Sequence, residues 1–251
     1  MSIKGADIRN IAVIGHSGEG KTSVVEALLF NGGMTDRLGK VTDGNTVTDY
    51  DEQEIARKMS ISLSMAYTMW DGVKLNLLDV PGFYDFEGEE NEALRAAGGA
   101  LIVTGATGTL TVGAEKAIDK CLKNKIPMVV FINGVDKDNA DYAGTVAALK
   151  EKYAGKIAPI QIPLMEGNKM VGYINALKET CYHFADEAKK QPVPIPEELK
   201  GTLAEMQANL TETAAENDEA LLDKYFEEGS LSKDEIIHGI RKGIYNVNTI
   251  P

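Results

Sequence analysis

The sequence contains only two cysteines, Cys121 and Cys181, and three histidines, His16, His183 and His238, all isolated from one another. None has the spacing of a metal site or a disulfide framework, so neither device is expected to organise the fold. No apolar run approaches the length of a membrane span, and Met1 to Asn10 carries charges where a signal peptide needs an apolar stretch. A cytoplasmic protein with no membrane partner is therefore expected. Positive charge is also scarce: 26 Lys and Arg stand against 38 Asp and Glu, a formal net charge of -12. Broad adhesion to nucleic acid needs a basic surface, so no such binding is expected of this chain.

What is present is more telling. The octet Gly15-His16-Ser17-Gly18-Glu19-Gly20-Lys21-Thr22 follows the apolar run Ile11 to Ile14 and leads into the helical pattern Val24 to Phe30. It matches G-x-x-x-x-G-K-[ST] in the strand, loop, helix context that a phosphate-binding loop requires. In such a loop the glycines let consecutive backbone N–H groups turn toward an anion, and the helix N-terminus adds positive potential. Lys21 then reaches the terminal phosphates, and Thr22 offers its hydroxyl to magnesium. Nucleotide binding is the reading to beat.

With 251 residues, 43% of them hydrophobic, the chain can bury one core plus a smaller second unit. Strand-like and helical runs alternate: Ile8 to Ile14 before the Lys21 helix, Ala100 to Val103 before Val112 to Asn124, Pro127 to Asn133 before Ala140 to Tyr153. That rhythm predicts an α/β fold on a mostly parallel sheet. The exception is Ile61 to Trp70 and Val73 to Val80, joined by Asp71-Gly72, a strong hairpin signal that adds one antiparallel strand. After Gln161 the character changes to short β-branched and aromatic patches around Gly167-Asn168 and Gly172, then a Pro-rich break at 191–196. From Glu197 the chain is acidic with helical period, and Ser230 to Glu235 reads as a turn and cap before another helix. Residues 1–162 are thus read as the core and 163–251 as an inserted α+β subdomain with the approach to a last core strand.

Leu75 to Leu78 runs straight into Asp79-Val80-Pro81-Gly82. An aspartate at the C-terminal end of a sheet strand can hold magnesium through water at the edge where the phosphate loop lies, and Gly82 can offer its N–H to a γ-phosphate. The polar segment from Gly44 to Ile61 suits either a switch ordered around a triphosphate or a plain surface loop. Asn133 and Asp136, three apart after an apolar strand, are placed to read a base.

Together these motifs resemble the N-terminal GTPase domain of elongation factor G, in particular an elongation-factor-G-like translational GTPase of the variant class. Gly20 to Ser23, Gly39 to Thr46, Asp79 to Gly82, Asp85-Phe86, Ile195 to Leu199 and Glu216 to Leu222 all follow that family, and the resemblance covers essentially the whole chain. It implies a P-loop GTPase fold, GTP or GDP as ligand with Mg2+ as cofactor, and the ribosome as partner. The nucleotide site it implies comprises Gly15, His16, Ser17, Gly18, Glu19, Gly20, Lys21, Thr22, Ser23, Asp79, Pro81, Gly82, Asn133 and Asp136. Asp136 would accept from the guanine N1 and N2 donors. Metal binding falls to Thr22, Ser60 and Asp79, with Ser60 standing for the family's switch threonine, and the chemistry to Lys21, Asp79 and Gly82.

Three departures from the pattern stand out. Gly134 replaces the lysine whose stem covers the base, and Phe83 replaces the histidine that positions the attacking water. The chain also ends at Pro251, before the family's last base-contacting loop. Slow GTP hydrolysis without a partner is the resulting expectation. A degenerate, non-catalytic nucleotide-binding or ribosome-interaction module is the alternative; a P-loop ATPase is disfavoured by Asp136.

Overall fold

Strand β1 (Ile8–Ile14) is the central strand of a five-stranded sheet in the computed structural model of this chain, which describes residues 3–167, 169–185 and 191–251. The other strands are β2 (Ser64–Trp70), β3 (Val73–Asp79), β4 (Gly99–Gly105) and β5 (Met128–Asn133), in the order β2-β3-β1-β4-β5. β1 runs parallel to β3 and β4, and β4 parallel to β5. Only β2 is antiparallel, paired with β3 through Asp71-Gly72, whose φ values of 47° and 78° are the positive pair that a tight two-residue turn demands. The rhythm of the sequence and its one antiparallel exception are both realised.

Packing divides the chain into two units. The first is Met1–Gly105 with Leu110–Asn133, and the second is Ala106–Thr109 with Gly134–Pro251. In the first, α1 (Lys21–Asn31) buries Val24, Val25 and Leu29 in a core with Val13, Ala66, Leu77 and Val103. A short α2 (Glu52–Arg57) precedes β2, while α3 (Glu87–Ala96) packs on β1 and α4 (Val112–Asn124) on β4. Burying such apolar side chains contributes roughly 1.5–3 kcal/mol each, which is what fixes the sheet beneath the loops at its C-terminal edge.

The second unit begins from a local contact: the N–H of Asp141 donates to Ala106 O (2.7 Å), and that of Gly108 to Thr145 Oγ1 (2.9 Å). These bonds tie residues 106–109 to the start of α5 (Tyr142–Lys152). Beyond it, β6 (Gln161–Glu166), β7 (Lys169–Asn175) and β8 (Thr180–His183) form a separate antiparallel sheet. Of the Gly167-Asn168 pair read as a turn between β6 and β7, Asn168 lies outside the described residues. The helices α6 (Glu197–Glu216), α7 (Glu219–Glu228) and α8 (Lys233–Tyr245) follow.

Ile162, Ile174 and Cys181 from this sheet share a core with Leu203, Leu210 and Ala214 of α6 and Ile240 of α8. Ser232 caps α8 in a reciprocal box with Glu235, as its sequence implies. The Lys224 ammonium and the Ser232 donors hold the Glu235 carboxyl down at about 2. Ile250 pairs in parallel with Ile157 through two backbone hydrogen bonds. Among the described residues no helix is long and apolar enough to cross a membrane.

Candidate functional site

The site lies in the first unit and grows from the loop between β1 and α1. Gly15 stands at φ 141°, and a Cβ there would strike the Val103 carbonyl of β4, so both backbone and space call for glycine. Gly20, at φ 90°, leaves room for the side-chain amide of Asn133, whose Nδ2 donates to Glu19 O (2.8 Å). Asn133, read from the sequence as a base contact, therefore also braces the loop from the end of β5.

Lys21 begins α1 almost fully buried, at 6% exposure, and its Nζ donates to His16 O at 3.0 Å. Burial draws its pKa below the ordinary lysine value, while Asp79, Glu19, Glu90 and Asp49 pull in the opposite direction. Gly82 packs on the same loop, where a Cβ would meet the Lys21 ammonium and come within 2.6 Å of the Ser17 N–H. Two segments far apart in sequence thus meet over one lysine.

Beside them lies an oxygen-rich cluster. Thr22 Oγ1 and Ser60 Oγ are 3.2 Å apart, and Ser60 Oγ donates to Asp49 Oδ1 at 2.7 Å. Thr48 Oγ1 donates to Asp79 Oδ2 at 2.6 Å. Asp79 is only 1% exposed, and burial pushes its carboxyl up to about 6 against the pull of the Thr48 and Thr22 hydroxyls. Burial also raises the Asp49 carboxyl, against the Ser60 hydrogen bond.

The remaining carboxylate oxygens, Asp79 Oδ1 and Asp49 Oδ2, are buried with no hydrogen-bond partner among the described residues. An unpaired buried acceptor is costly, and hydroxyl and carboxylate oxygens are the donors a hard divalent cation takes. The set fits Mg2+. No cluster of three His, Cys, Asp or Glu suited to a metal occurs among the described residues, so phosphate oxygens or water must complete such a shell.

Ser17, Gly18, Gly20, Lys21, Thr22, Ser23, Asp49, Ser60, Gly82 and Phe83 line a single open cavity of about 350 Å³. Val41, Arg57, Lys58 and Met59 also line it, and with Asp49 they are the cavity residues that sequence reasoning missed. The polar segment from Gly44 to Ile61 was the signal that contained all of them but Val41. Pro81 is buried, and Phe83 stands 43% exposed at the cavity wall. Tyr84 lies 6.0 Å from the His16 ring, centroid to centroid, beneath the ammonium of Lys116. Asp136 belongs to the second unit, where it is exposed.

Residues 6–239 match the family model of the elongation factor Tu GTP binding domain. The chain belongs to that family. This GTP-binding domain is also similar to a solved structure from Thermus thermophilus, with a TM-score of 0.91 and 31% identity. The match covers 98% of this chain and 37% of that one, so the domain spans little more than a third of its neighbour's length. Fold and membership bear out the P-loop GTPase architecture and the translational-GTPase resemblance.

Proposed function

We propose that this chain is the GTP-binding domain of an elongation-factor-G-like translational GTPase that converts GTP and water to GDP and phosphate in ribosome-linked translation. One observation carries the reading: the buried, unpartnered oxygens of Asp79 and Asp49 stand beside the Thr22 and Ser60 hydroxyls, next to a lysine seated in a phosphate loop. In this reading residues 1–162 hold the GTPase core and 163–251 the inserted subdomain. The family resemblance assigns Asn133 and Asp136 to the guanine. The ribosome as partner and a cytoplasmic location follow from the same reading.

Phosphoryl transfer asks the protein mainly for positioning and charge stabilisation. Lys21 would exchange the His16 carbonyl for the β and γ phosphates, and the loop amides from Gly15 to Ser23 would face the phosphate oxygens. Gly82 would offer its N–H to the γ-phosphate, which the absence of a Cβ allows it to approach. Thr22, Ser60 and, through water, Asp79 would hold Mg2+, which when bound neutralises the terminal phosphates. Phe83 carries no group that accepts or donates a proton, so orientation of the attacking water falls to backbone groups or to the partner. Hydrolysis by the isolated domain is accordingly slow.

Lys21→Ala tests the assignment. It should leave the fold intact and weaken a fluorescent GTP analogue by about a hundredfold or more, since charge-assisted hydrogen bonds contribute roughly 1.5–3 kcal/mol each. Unchanged affinity sinks the site. Exposed Phe83 favours a second reading, a module that binds nucleotide without hydrolysing it. Ribosome-stimulated phosphate release from the full-length protein, with GTP and ATP in parallel, separates the two.

A further inference from the structure

Helix α2 ends at Lys58, which adopts φ 55° and ψ 43° while its N–H donates to Glu54 O and Ile55 O. This left-handed cap position is the one helices usually give to glycine, because a side chain there costs roughly 1 kcal/mol. Lys58 nonetheless lines the cavity formed by the phosphate loop, Ser60 and Gly82. Its side chain makes no hydrogen bond or ion pair among the described residues, and it is exposed toward solvent. Two residues further on, Ser60 Oγ touches both Thr22 and Asp49. Lys58 therefore stands on the segment assigned to the triphosphate end of the ligand.

Charge gives this position a purpose. A polyanionic ligand must approach a protein of net charge -12, and cations at the site itself offset that repulsion. We infer that Lys58 is a second phosphate-contacting lysine, whose ammonium meets the terminal phosphate of a nucleoside triphosphate and has no counterpart to meet in a diphosphate. The inference rests on the nucleotide-binding reading above and adds to it a source of triphosphate preference. It also explains why a strained backbone position carries a long cationic side chain.

The fold supplies its own control. Lys125 caps α4 with φ 54° and ψ 43°, the same residue in the same backbone conformation, but it does not line the cavity. Lys58→Gly and Lys125→Gly should each raise the melting temperature, because each relieves the same strain. In the presence of Mg2+, Lys58→Gly alone should weaken an imido analogue of GTP, by about fivefold for a solvent-exposed charge contact, with GDP affinity unchanged. Lys58→Arg should keep the preference.

An unchanged ratio of triphosphate to diphosphate affinity in Lys58→Gly overturns the inference, as does an equal loss for both nucleotides. Failure of the wild-type chain to bind either nucleotide overturns the functional reading, and this inference with it.

Discussion

Gly82 owes its identity to the phosphate loop: a Cβ would lie 2.6 Å from Ser17 N and 2.8 Å from His16 C, backbone that cannot swing aside as the Lys21 ammonium could, so the residue after Pro81 must be glycine for the two segments to meet. Lys21, Thr22 and Asp79 were legible in the sequence because a loop between a strand and a helix states its purpose locally. Asp49 and Lys58 were not, since their place in the cavity depends on the path of a segment with no periodic pattern. The two substituted positions can be probed directly. Phe83→His should raise the ribosome-stimulated rate of the full-length protein, by up to about a hundredfold if the histidine assists proton transfer. An unchanged kcat means that another group holds the water. Gly134 sits at φ 71°, and a Cβ there would lie 3.1 Å from Cδ and Cε of Lys137. Gly134→Lys would restore the family residue on a strained backbone and displace the Lys137 stem. A loss of roughly 1 kcal/mol, or about 2–4 °C in Tm for a chain of this size, is expected on thermal denaturation, and an unshifted melt refutes the strain argument.

At the scale of elements, α2 holds the Ser60 segment in place through one buried carboxylate. Glu54 Oε1 accepts from the N–H groups of Ile61 (2.9 Å) and Ser62 (3.1 Å), and Oε2 accepts from Asp51 N at 3.2 Å. The Asp51 side chain completes the capping box by accepting from the backbone N–H of Glu54, and it also accepts from Gln53 N at 2.8 Å. The N–H of Leu63 donates to Glu89 Oε2 of α3 at 2.6 Å. A six-residue helix has little stability of its own, so this clamp rather than helix propensity accounts for α2.

The same brevity hid α2 from the sequence, where six residues show no periodicity to count. α3 was equally hard to see: it buries only Ala93 and Leu94 and opens with Glu87, Glu89 and Glu90. Glu54→Ala would strand the amides of Ile61 and Ser62. A loss of about 1–3 kcal/mol is expected, together with faster hydrogen exchange at those two amides and weaker binding of triphosphate relative to diphosphate. Exchange at wild-type rates would show that the segment is held elsewhere.

Across the whole molecule, the two units differ in how plainly the sequence announces them. The parallel sheet follows from strands and helices alternating along the chain, each helix close in sequence to the strand it covers. The second core joins Ala158, Ile174, Leu210 and Ile240, residues distant in sequence, so only its turns, caps and helical periods could be read in advance. Each unit has its own apolar cluster, and the proposed phosphate and metal groups all belong to the first. Ligand that binds only the folded state stabilises by about 2.7 kcal/mol at a hundred times its Kd. With Mg2+ and GDP at that excess, the melting temperature should rise, and hydrogen-exchange protection should grow in β1, α1 and β3. The β6–β7–β8 sheet contains none of the proposed phosphate or metal ligands and should exchange at its ligand-free rate. Protection spread evenly over both units would mean that nucleotide energy is not confined to the first core, and no protection at all would remove the phosphate loop as a binding site.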